Sequence, residues 1–342
     1  FYNREARKKI KELIQDFQPD VAHLHNIYHH LSPSILKELK RARIPIAMTL
    51  HDYKLICPNY SLFAHNKIWE KSKRFRYYRC IWDKCVKNSY SKSLVCTLEA
   101  YFHKILGIYK KVDVFISPSR FLIDKFREFG FNEKILKLPH YISKIQESEM
   151  EFPPDQDRYI LYFGRLSSEK GIKDLLEAYR RVVAKKQTSI KLKIVGDGPQ
   201  KRSLEKLIRD KQLQDKAILI PAQEKETLFS MIKNSEFVVH PSKWHENYPY
   251  SILEAQSLGK TVLAADIGGI SEMIRDGYSG VLYSAGNIEE LAQKIEGLID
   301  DDINRTSIKN NTLHRIEKEN SPEVFYNNLI NIYKNIIREG QR

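Results

Sequence analysis

Residues 240–259 read HPSKWHENYPYSILEAQSLG and decide the fold, because they predict where one buried strand ends and a helix begins. The strand is the apolar run EFVV just before them, and a helix of about ten residues follows the loop. Pro249 suits the first turn of this helix, where a missing N–H costs nothing, and Gly259 suits the position just after its end. Glu246 lies in the loop, Glu254 lies within the helix, and the helix begins near Asn247 and Tyr248.

A helix that begins at the carboxyl end of a buried strand presents free backbone N–H groups to an anion. Here the predicted anion site has a carboxylate on either side, Glu246 before it and Glu254 beyond it. This arrangement suits a ligand with a phosphate at its centre and hydroxyl groups at both ends. The alternative is that Glu246 is a solvated loop residue and that Glu254 balances the helix dipole.

The rest of the second half alternates strand-like apolar runs with helical periods. Apolar runs occur in RYILYFGRL, IKLKIVGDGP, AILIP, EFVVHPS, TVLAAD and GVLY. Such alternation predicts a doubly wound parallel sheet, in which ligands bind at the carboxyl ends of the strands. Small or cationic residues follow two of these strands, namely Gly164, Arg165, Lys170, Gly196 and Gly198. Arg165 and Lys170 suit phosphate oxygens, although each is also interpretable as an ordinary surface cation.

The first half repeats the alternation less completely. Residues 2–17 predict an amphipathic helix, and strands at 21–25 and 44–50 flank a helix with Ser32 as its N-cap. His51 follows the second strand, where a histidine is more often structural than functional. A helix at 97–110 and strands at 112–119 and 134–142 complete this half. It has four or five strands and no glycine-rich turn after the first, so we expect its opening strand–helix units to be missing.

Residues 53–95 interrupt the alternation with a basic, aromatic segment. Within 67–92, nine Lys and Arg residues accompany only two acidic residues, and six aromatic residues are interleaved: Trp69, Phe75, Tyr77, Tyr78, Trp82 and Tyr90. This mixture is typical of a helical insertion that packs its own rings, or of contact with an anionic membrane surface or an acceptor. Single-stranded nucleic acid would also suit it, but we expect no nucleic acid partner.

All four cysteines, Cys57, Cys80, Cys85 and Cys96, fall in or next to this segment. Because no regular CxxC pair is present, we interpret them as structural thiols in a reducing compartment. A zinc site is the alternative.

Composition bounds the class of protein. The chain has 342 residues, of which 42% are hydrophobic, enough for about two packed domains. Residues 1–150 hold 28 Lys and Arg against 15 Asp and Glu, so most of the net charge of +14 lies there. This half suits an anionic partner, such as lipid headgroups or a charged glycan, or is simply a solvated basic surface. No apolar run is long enough to span a bilayer, and no signal peptide is visible, so we expect a cytoplasmic protein.

Several segments together resemble a known family. PSKWHENYPYSILEAQSLG, YFGRLSSEKG, IVGDGP and GGISEMIRDGYSG are similar in order and spacing to the retaining glycosyltransferases of family 4. DVAHLHN, TLHDYKLICP and VFISPSRF are similar to the N-terminal domain of the same family, and Glu246 and Glu254 match its E-x7-E pattern. The resemblance implies an α/β protein of the GT-B fold, with two Rossmann-like doubly wound domains facing a cleft.

The resemblance also implies roles for the candidate residues. Arg165 and Lys170 would hold the diphosphate of a nucleotide-sugar donor, Glu246 would contact the transferred sugar, and Glu254 would contact the ribose. His51 would lie on the N-terminal side of that sugar. Donor binding would further involve Gly164, Gly196, Gly198, Asn247 and Tyr248. The resemblance implies no catalytic metal and no cofactor, since the nucleotide-diphosphate sugar is a substrate.

The predicted layout is an acceptor-side domain at 1–143, a linker at 144–157, a donor-binding domain at 158–318 and a last helix at 319–342 that crosses back to the first domain. We expect a hexosyltransferase acting on a glycan or lipid-linked acceptor in surface polysaccharide synthesis, peripheral on the inner face of the plasma membrane through 67–92. The alternatives are a nucleotide-sugar isomerase or hydrolase of the same fold, and a truncated, non-catalytic sugar-nucleotide binder.

Overall fold

The computed structural model describes residues 2–28, 31–143, 155 and 157–341, apart from the side chain of Asn304. The chain forms two compact units. The first contains residues 1–139 and 323–342, and the second contains residues 140–322, against predicted boundaries after 143 and 318. Most of the predicted linker at 144–157, and His29 after the first strand, lie outside the described residues.

The first unit is built on a four-stranded parallel sheet. Its strands are β1 (Ala22–His25), β2 (Ile46–Thr49), β5 (Val114–Ser117) and β6 (Ile135–Lys137), hydrogen-bonded in that order. β2 and β5 are buried along their whole length, as expected of central strands covered on both faces. The carboxyl ends of β1 and β2 therefore lie side by side, which brings His25 and the residues after Thr49 together.

Helices flank this sheet: α1 (Arg4–Phe17), α2 (Ile35–Arg41), α4 (Tyr90–Ile105), α5 (Arg120–Glu128) and α13 (Pro322–Gly340). The prediction that Ser32 caps α2 is wrong, because Ser32 has a φ of 58° and the helix begins two residues past Pro33. The Ser32 hydroxyl instead accepts a hydrogen bond from the Asn3 N–H at 2.9 Å, which ties the start of α1 to this loop. Ser119 does cap α5, since its hydroxyl accepts from the Leu122 N–H at 3.2 Å.

The insertion contains an antiparallel hairpin, β3 (Phe63–Ala64) with β4 (Lys67–Ile68), and a short helix α3 (Arg79–Trp82). The structure corrects two predictions here. Cys80 and Cys85 form a disulfide, with Cα atoms 4.9 Å apart, rather than remaining thiols, because a turn after α3 brings them together. The helix predicted at 97–110 spans Tyr90–Ile105 instead, since Ser89 caps its start and Gly107, with a φ of 54°, follows its end.

The last helix, α13, belongs to the first unit although it follows the second in sequence. Its Ile332 and Ile336 are buried against Ala47, Val114 and Ile116 of the central strands. The helix therefore covers one face of the four-stranded sheet.

The second unit contains a six-stranded parallel sheet in the order β12-β11-β10-β7-β8-β9. The strands are β7 (Tyr159–Phe163), β8 (Lys191–Val195), β9 (Ala217–Ile220), β10 (Val238–His240), β11 (Val262–Asp266) and β12 (Val281–Ser284). The order reverses beside β7, so the turns after β7 and β10 meet where ligands bind in open sheets of this kind.

Helices cover both faces of this sheet and pack on two separate apolar clusters. They are α6 (Ile172–Lys186), α7 (Lys201–Asp210), α8 (Lys225–Asn234), α9 (Tyr250–Ser257), α10 (Ile270–Met273), α11 (Ile288–Asp300) and α12 (Asp302–Glu319). The sequence pattern does not predict α12. Within the described residues, no helix combines the length and the apolarity that crossing a bilayer requires.

Candidate active site

The carboxylate of Glu246 is the centre of the site in the second unit. Glu246 is only 4% exposed and lies in the loop between β10 and α9. Three side chains converge on its Oε1 atom. Lys170 Nζ donates at 2.6 Å, Ser242 Oγ donates at 2.7 Å, and His240 Nε2 lies at 3.3 Å. The turn after β7 and the loop after β10 are thereby joined through one buried acidic group.

These contacts determine the ionisation of Glu246. Burial raises its pKa, but the charge of Lys170 and the hydrogen bond from His240 outweigh burial and hold the pKa well below its ordinary value. The group is therefore an anion at neutral pH. A buried carboxylate that stays ionised is suited to face developing positive charge or to accept from hydroxyl groups.

The position of Lys170 depends on a close backbone approach at Gly171. Gly171 has a φ of 71°, and a Cβ atom there would lie 1.8 Å from the carbonyl oxygen of Pro241. The Lys243 N–H donates to the Glu169 carbonyl at 2.8 Å across the same contact. Only glycine permits this approach, which brings Lys170 within reach of the loop after β10.

A second glycine contact supports the Glu246 backbone. Gly268 has a φ of 66°, and a Cβ atom there would lie 2.3 Å from the carbonyl oxygen of Glu246. The Gly269 N–H donates to that same oxygen at 2.7 Å. The pair Gly268-Gly269, at the start of α10, therefore supports the backbone of the Glu246 loop through contacts separate from that of Lys170.

Beside this cluster lies a pocket of about 410 Å3. The exposed Arg165 and the partly buried Glu254 stand on its wall, and burial raises the pKa of Glu254. Among the described residues no carboxylate pairs with Arg165, so its guanidinium is available to an anion. The remaining lining residues are Phe163, Gly164, Val195, Gly196, Asp197, Ala222, Gln223, Leu228 and Ser251.

The glycines predicted for this site shape the pocket through backbone contacts. A Cβ atom on Gly196 would lie 2.0 Å from the Gly164 carbonyl oxygen, and one on Gly198 would lie 2.4 Å from the Leu166 carbonyl oxygen. The turns after β7 and β8 therefore pack backbone against backbone. Gly164 and Gly196 line the pocket directly, whereas Gly198 holds the second turn in place.

Two of the candidate residues lie elsewhere. Tyr248 is buried in the core between β10 and α9, and its hydroxyl accepts a hydrogen bond from Asn320 Nδ2 at 3.0 Å. Asn247 lies beside it, half-buried in the loop. Neither residue is among those that line the 410 Å3 pocket. Helix α9 begins at Tyr250 with Pro249 as its N-cap, slightly later than predicted.

His51 belongs to the first unit, where it is part of a cluster of three histidines. His51 Nε2 and His25 Nδ1 share a hydrogen bond of 2.8 Å. His23 bridges Thr49 Oγ1 at 2.7 Å and the Tyr333 hydroxyl of α13 at 2.6 Å. Burial, followed by the neighbouring rings, lowers the pKa values of His23 and His51 to about 4. Both are therefore neutral at physiological pH.

Sequence reasoning missed some of these partners. His240 is the last residue of β10, and it also contacts Ser251 Oγ at 3.3 Å through Nδ1. Its position at the end of β10, directly before the loop, could have predicted its contact with Glu246. Tyr333 lies too far along the chain for any local pattern to connect it with His23. Among the described residues, no three His, Cys, Asp or Glu side chains are grouped in a way that would hold a metal ion.

Comparison with known proteins identifies the family. The model of the glycosyl transferases group 1 matches residues 143–315, half of the chain. The chain therefore belongs to the glycosyl transferases group 1 family.

Individual relatives and structures agree. The chain is 33% identical over 147 residues to the alpha-D-kanosaminyltransferase of Streptomyces kanamyceticus, covering 43% of this chain and 38% of that protein. It is 24% identical to the capsular polysaccharide biosynthesis glycosyltransferase CapM of Staphylococcus aureus, covering 54% and 48%. The chain thus spans less than half the length of each. The crystal structure of Anabaena Alr3699/HepE in complex with UDP matches with a TM-score of 0.72 at 16% identity, over 96% of this chain and 82% of that one. The predicted GT-B fold is confirmed.

Proposed function

We propose that this protein transfers a sugar from a nucleotide-diphosphate sugar to a glycan or lipid-linked acceptor, with retention of anomeric configuration and without a metal ion. The observation that carries the proposal is the pocket of about 410 Å3 with Arg165 on its wall, beside the ionised Glu246 held by Lys170. This region places a cation that suits a diphosphate, Arg165, near an anion that suits a sugar, Glu246. The two lie in the turns after β7 and β10, at one edge of the sheet.

The donor would bind with its diphosphate near Arg165 and the start of α9. Arginine can donate two parallel hydrogen bonds to phosphate oxygens, and the N–H groups at the start of a helix favour an anion. Gly164 and Gly196 leave room for the ligand to approach the backbone. Glu254, within α9, would accept from the ribose hydroxyls. Lys170 can divide its three donors between Glu246 and the diphosphate.

The reaction breaks the bond between the anomeric carbon and the diphosphate oxygen and forms a bond to the acceptor oxygen. The bonding electrons leave with the diphosphate, whose growing charge Arg165 and Lys170 stabilise. The sugar becomes cation-like, and the carboxylate of Glu246 lowers the cost of that charge. The acceptor proton moves to the departing diphosphate on the same face, which gives retention. The proposed contact of His51 with the sugar rests on the family resemblance.

The relatives support the kind of product and the class of donor. One of them is named for capsular polysaccharide biosynthesis, and a structural neighbour was solved with UDP. We therefore propose a role in the synthesis of capsule, lipopolysaccharide or a related polysaccharide. We place the protein in the cytoplasm at the inner face of the plasma membrane, with a polyanionic surface as the partner of its basic first half.

The test is incubation with a panel of UDP-, GDP-, ADP- and dTDP-sugars in EDTA, followed by thermal shift and NMR analysis of the sugar products. Donor binding should raise the melting temperature, and added lipid-linked or glycan acceptor should yield a product with the donor's anomeric configuration. A free sugar or an altered sugar nucleotide, formed equally without acceptor, would identify a hydrolase or isomerase instead. Stabilisation without any product would identify a non-catalytic binder, and inverted product would refute retention.

A further inference from the structure

Helix α4 is oriented with its apolar side outward. Six apolar side chains along it or just past its end are exposed, and Ile105 reaches 81% exposure. The residues of α4 that are buried are polar instead, namely Ser93, Thr97, Glu99 and His103. We call the exposed set the α4 apolar face: Leu94, Val95, Leu98, Phe102, Ile105 and Leu106. This is the reverse of a helix that packs its apolar stripe on a protein core.

The buried polar side chains fix this orientation because each has a partner in the first unit. Lys54 Nζ donates to Glu99 Oε2 at 2.6 Å, and these side chains are only 7% and 8% exposed. The Thr97 hydroxyl donates to the Tyr77 carbonyl at 3.3 Å. Rotating the helix to hide its apolar side would leave the buried Lys54 without its counter-ion, which is costly. The apolar face is therefore a fixed property of this surface.

The surroundings of the face are strongly basic. Residues 71–111 contain eleven Lys and Arg but only two acidic residues, Asp83 and Glu99. Lys71 is paired with Asp83 at 2.7 Å and Lys73 with Glu70 at 2.7 Å, whereas no ion pair involves the other nine Lys and Arg residues of this fully described segment. Such a surface repels a second copy of itself and attracts an anionic one. Exposed aromatic residues accompany the charge, among them Trp82 at 74% exposure.

At the C-terminal end of α4 the face borders a pocket of about 360 Å3. Ile105 forms part of its wall, together with Lys104, Lys110 and Glu133. The Lys104 ammonium lies 3.2 Å from the centre of the Phe75 ring. Two lysines beside an apolar edge suit a headgroup phosphate whose acyl chains extend along the helix.

We infer that the α4 apolar face is a membrane-docking surface, which rests on a bilayer containing anionic lipids with its leucine, isoleucine and phenylalanine side chains inserted and the surrounding lysines on the headgroups. Amphipathic helices bind membrane interfaces by this combination of apolar burial and charge. The inference deepens the membrane contact in the proposed function, and it assigns the inserted apolar side chains to residues 94–106 rather than to the aromatic residues of the predicted segment 67–92. Two of the aromatic residues in 67–92, Trp69 and Tyr77, are 2% exposed and belong to the protein interior.

The test is flotation of the full chain with phosphatidylcholine vesicles, with and without phosphatidylglycerol. The wild-type protein should float with the anionic vesicles and not with the neutral ones. Leu98→Glu and Ile105→Glu should abolish flotation. Lys87→Ala/Lys92→Ala, two exposed lysines next to the face, should weaken partitioning by roughly 25-fold, about fivefold for each ammonium group.

Ile303→Glu is the matched control, because Ile303 is 86% exposed but lies in the second unit. It should float like the wild type. Wild-type protein that does not float, or equal flotation of Leu98→Glu, would overturn the inference. Equal recovery with neutral vesicles would overturn the anionic part of it, and a dimer that Leu98→Glu dissociates would assign the face to self-association. Donor-induced thermal stabilisation, measured on the same variants, reports separately on the proposed function and should be unchanged in all of them.

Discussion

The pairing of Lys170 with Glu246 leads to a specific prediction for Lys170→Met. The variant keeps the length and apolar stem of the side chain but removes the ammonium group that donates to Glu246 at 2.6 Å. Glu246 is then a buried carboxylate without its counter-ion. Removing one partner of a buried ion pair costs about 3–5 kcal/mol when both are fully buried.

The expected cost here is smaller, for two reasons found in the structure. The Lys170 side chain is 20% exposed, so water already screens part of the interaction. Ser242 and His240 also remain as partners of Glu246. We therefore expect a loss of about 2–3 kcal/mol in the free energy of unfolding of the second unit. For a domain of this size that corresponds to a decrease of roughly 5–10 °C in melting temperature.

The pH dependence of the loss should reveal its cause. In the wild type the pKa of Glu246 is lowered below 4.5, so its stabilising contribution is present above pH 4.5 and is lost as the pH falls below that value. Without Lys170 the pKa of Glu246 rises toward its ordinary value, because His240 and Ser242 remain but the charge of Lys170 is gone. The variant should then lose less stability than the wild type as the pH falls below 4.5.

Urea unfolding of both proteins across this pH range measures the effect. Lys170→Met/Glu246→Gln is the matched control, because it removes the charge as well as its partner and should recover much of the lost stability. If Lys170→Met and the double variant are equally unstable, or if Lys170→Met shows the wild-type pH dependence, the account of Glu246 as a charge-balanced buried anion is refuted.

Two further predictions concern backbone and protonation. Gly268→Ala should lower the free energy of unfolding by about 2–4 kcal/mol, because its Cβ would lie 2.3 Å from the Glu246 carbonyl oxygen. The control Gly277→Ala, at a φ of 70° with nothing within 4 Å, should lower it by only about 1 kcal/mol. Equal melting temperatures of the two variants would contradict the contact. The first unit should lose stability as the pH falls from 6.5 to about 4. His23 and His51 have pKa values of about 4 in the folded protein, whereas in the unfolded chain they bind protons already near pH 6.5. The free energy of unfolding should fall by at most about 1.4 kcal/mol per pH unit for each histidine, and by less than that because both rings are partly exposed. The fall should be shallower in His51→Gln.

Much of the second unit was predictable from local pattern. The strands are mostly apolar runs of three to five residues, and five of the six adjoin a glycine or a proline, so local pattern located the sheet and the turn after β10. Glycines were informative for the same reason, since Gly259 does follow the end of α9 with a φ of 69°. The rule that ligands gather at one edge of a parallel sheet placed Glu246 and Lys170 in one predicted site, and the structure adds their direct contact.

The insertion was less predictable because its contacts are not local. The prediction for α4 placed the helix too late and did not anticipate which side faces inward. The partners that bury its polar side, Lys54 and the Tyr77 carbonyl, are 45 and 20 residues away from Glu99 and Thr97. The disulfide between Cys80 and Cys85 likewise depends on a turn whose geometry the cysteine spacing does not specify.

The proposed function requires the pocket beside Glu246 to bind a nucleoside diphosphate through Arg165. Titration calorimetry with UDP in EDTA measures this binding for the wild type, for Arg165→Ala and for the matched variant Arg209→Ala, an exposed arginine at the end of α7 outside the pocket. Because a hydrogen bond between charged groups contributes about 1.5–3 kcal/mol, Arg165→Ala should bind UDP roughly 10- to 100-fold more weakly, and Arg209→Ala should bind it like the wild type. Equal affinities of the wild type and Arg165→Ala, for UDP and for the other nucleoside diphosphates, would contradict it.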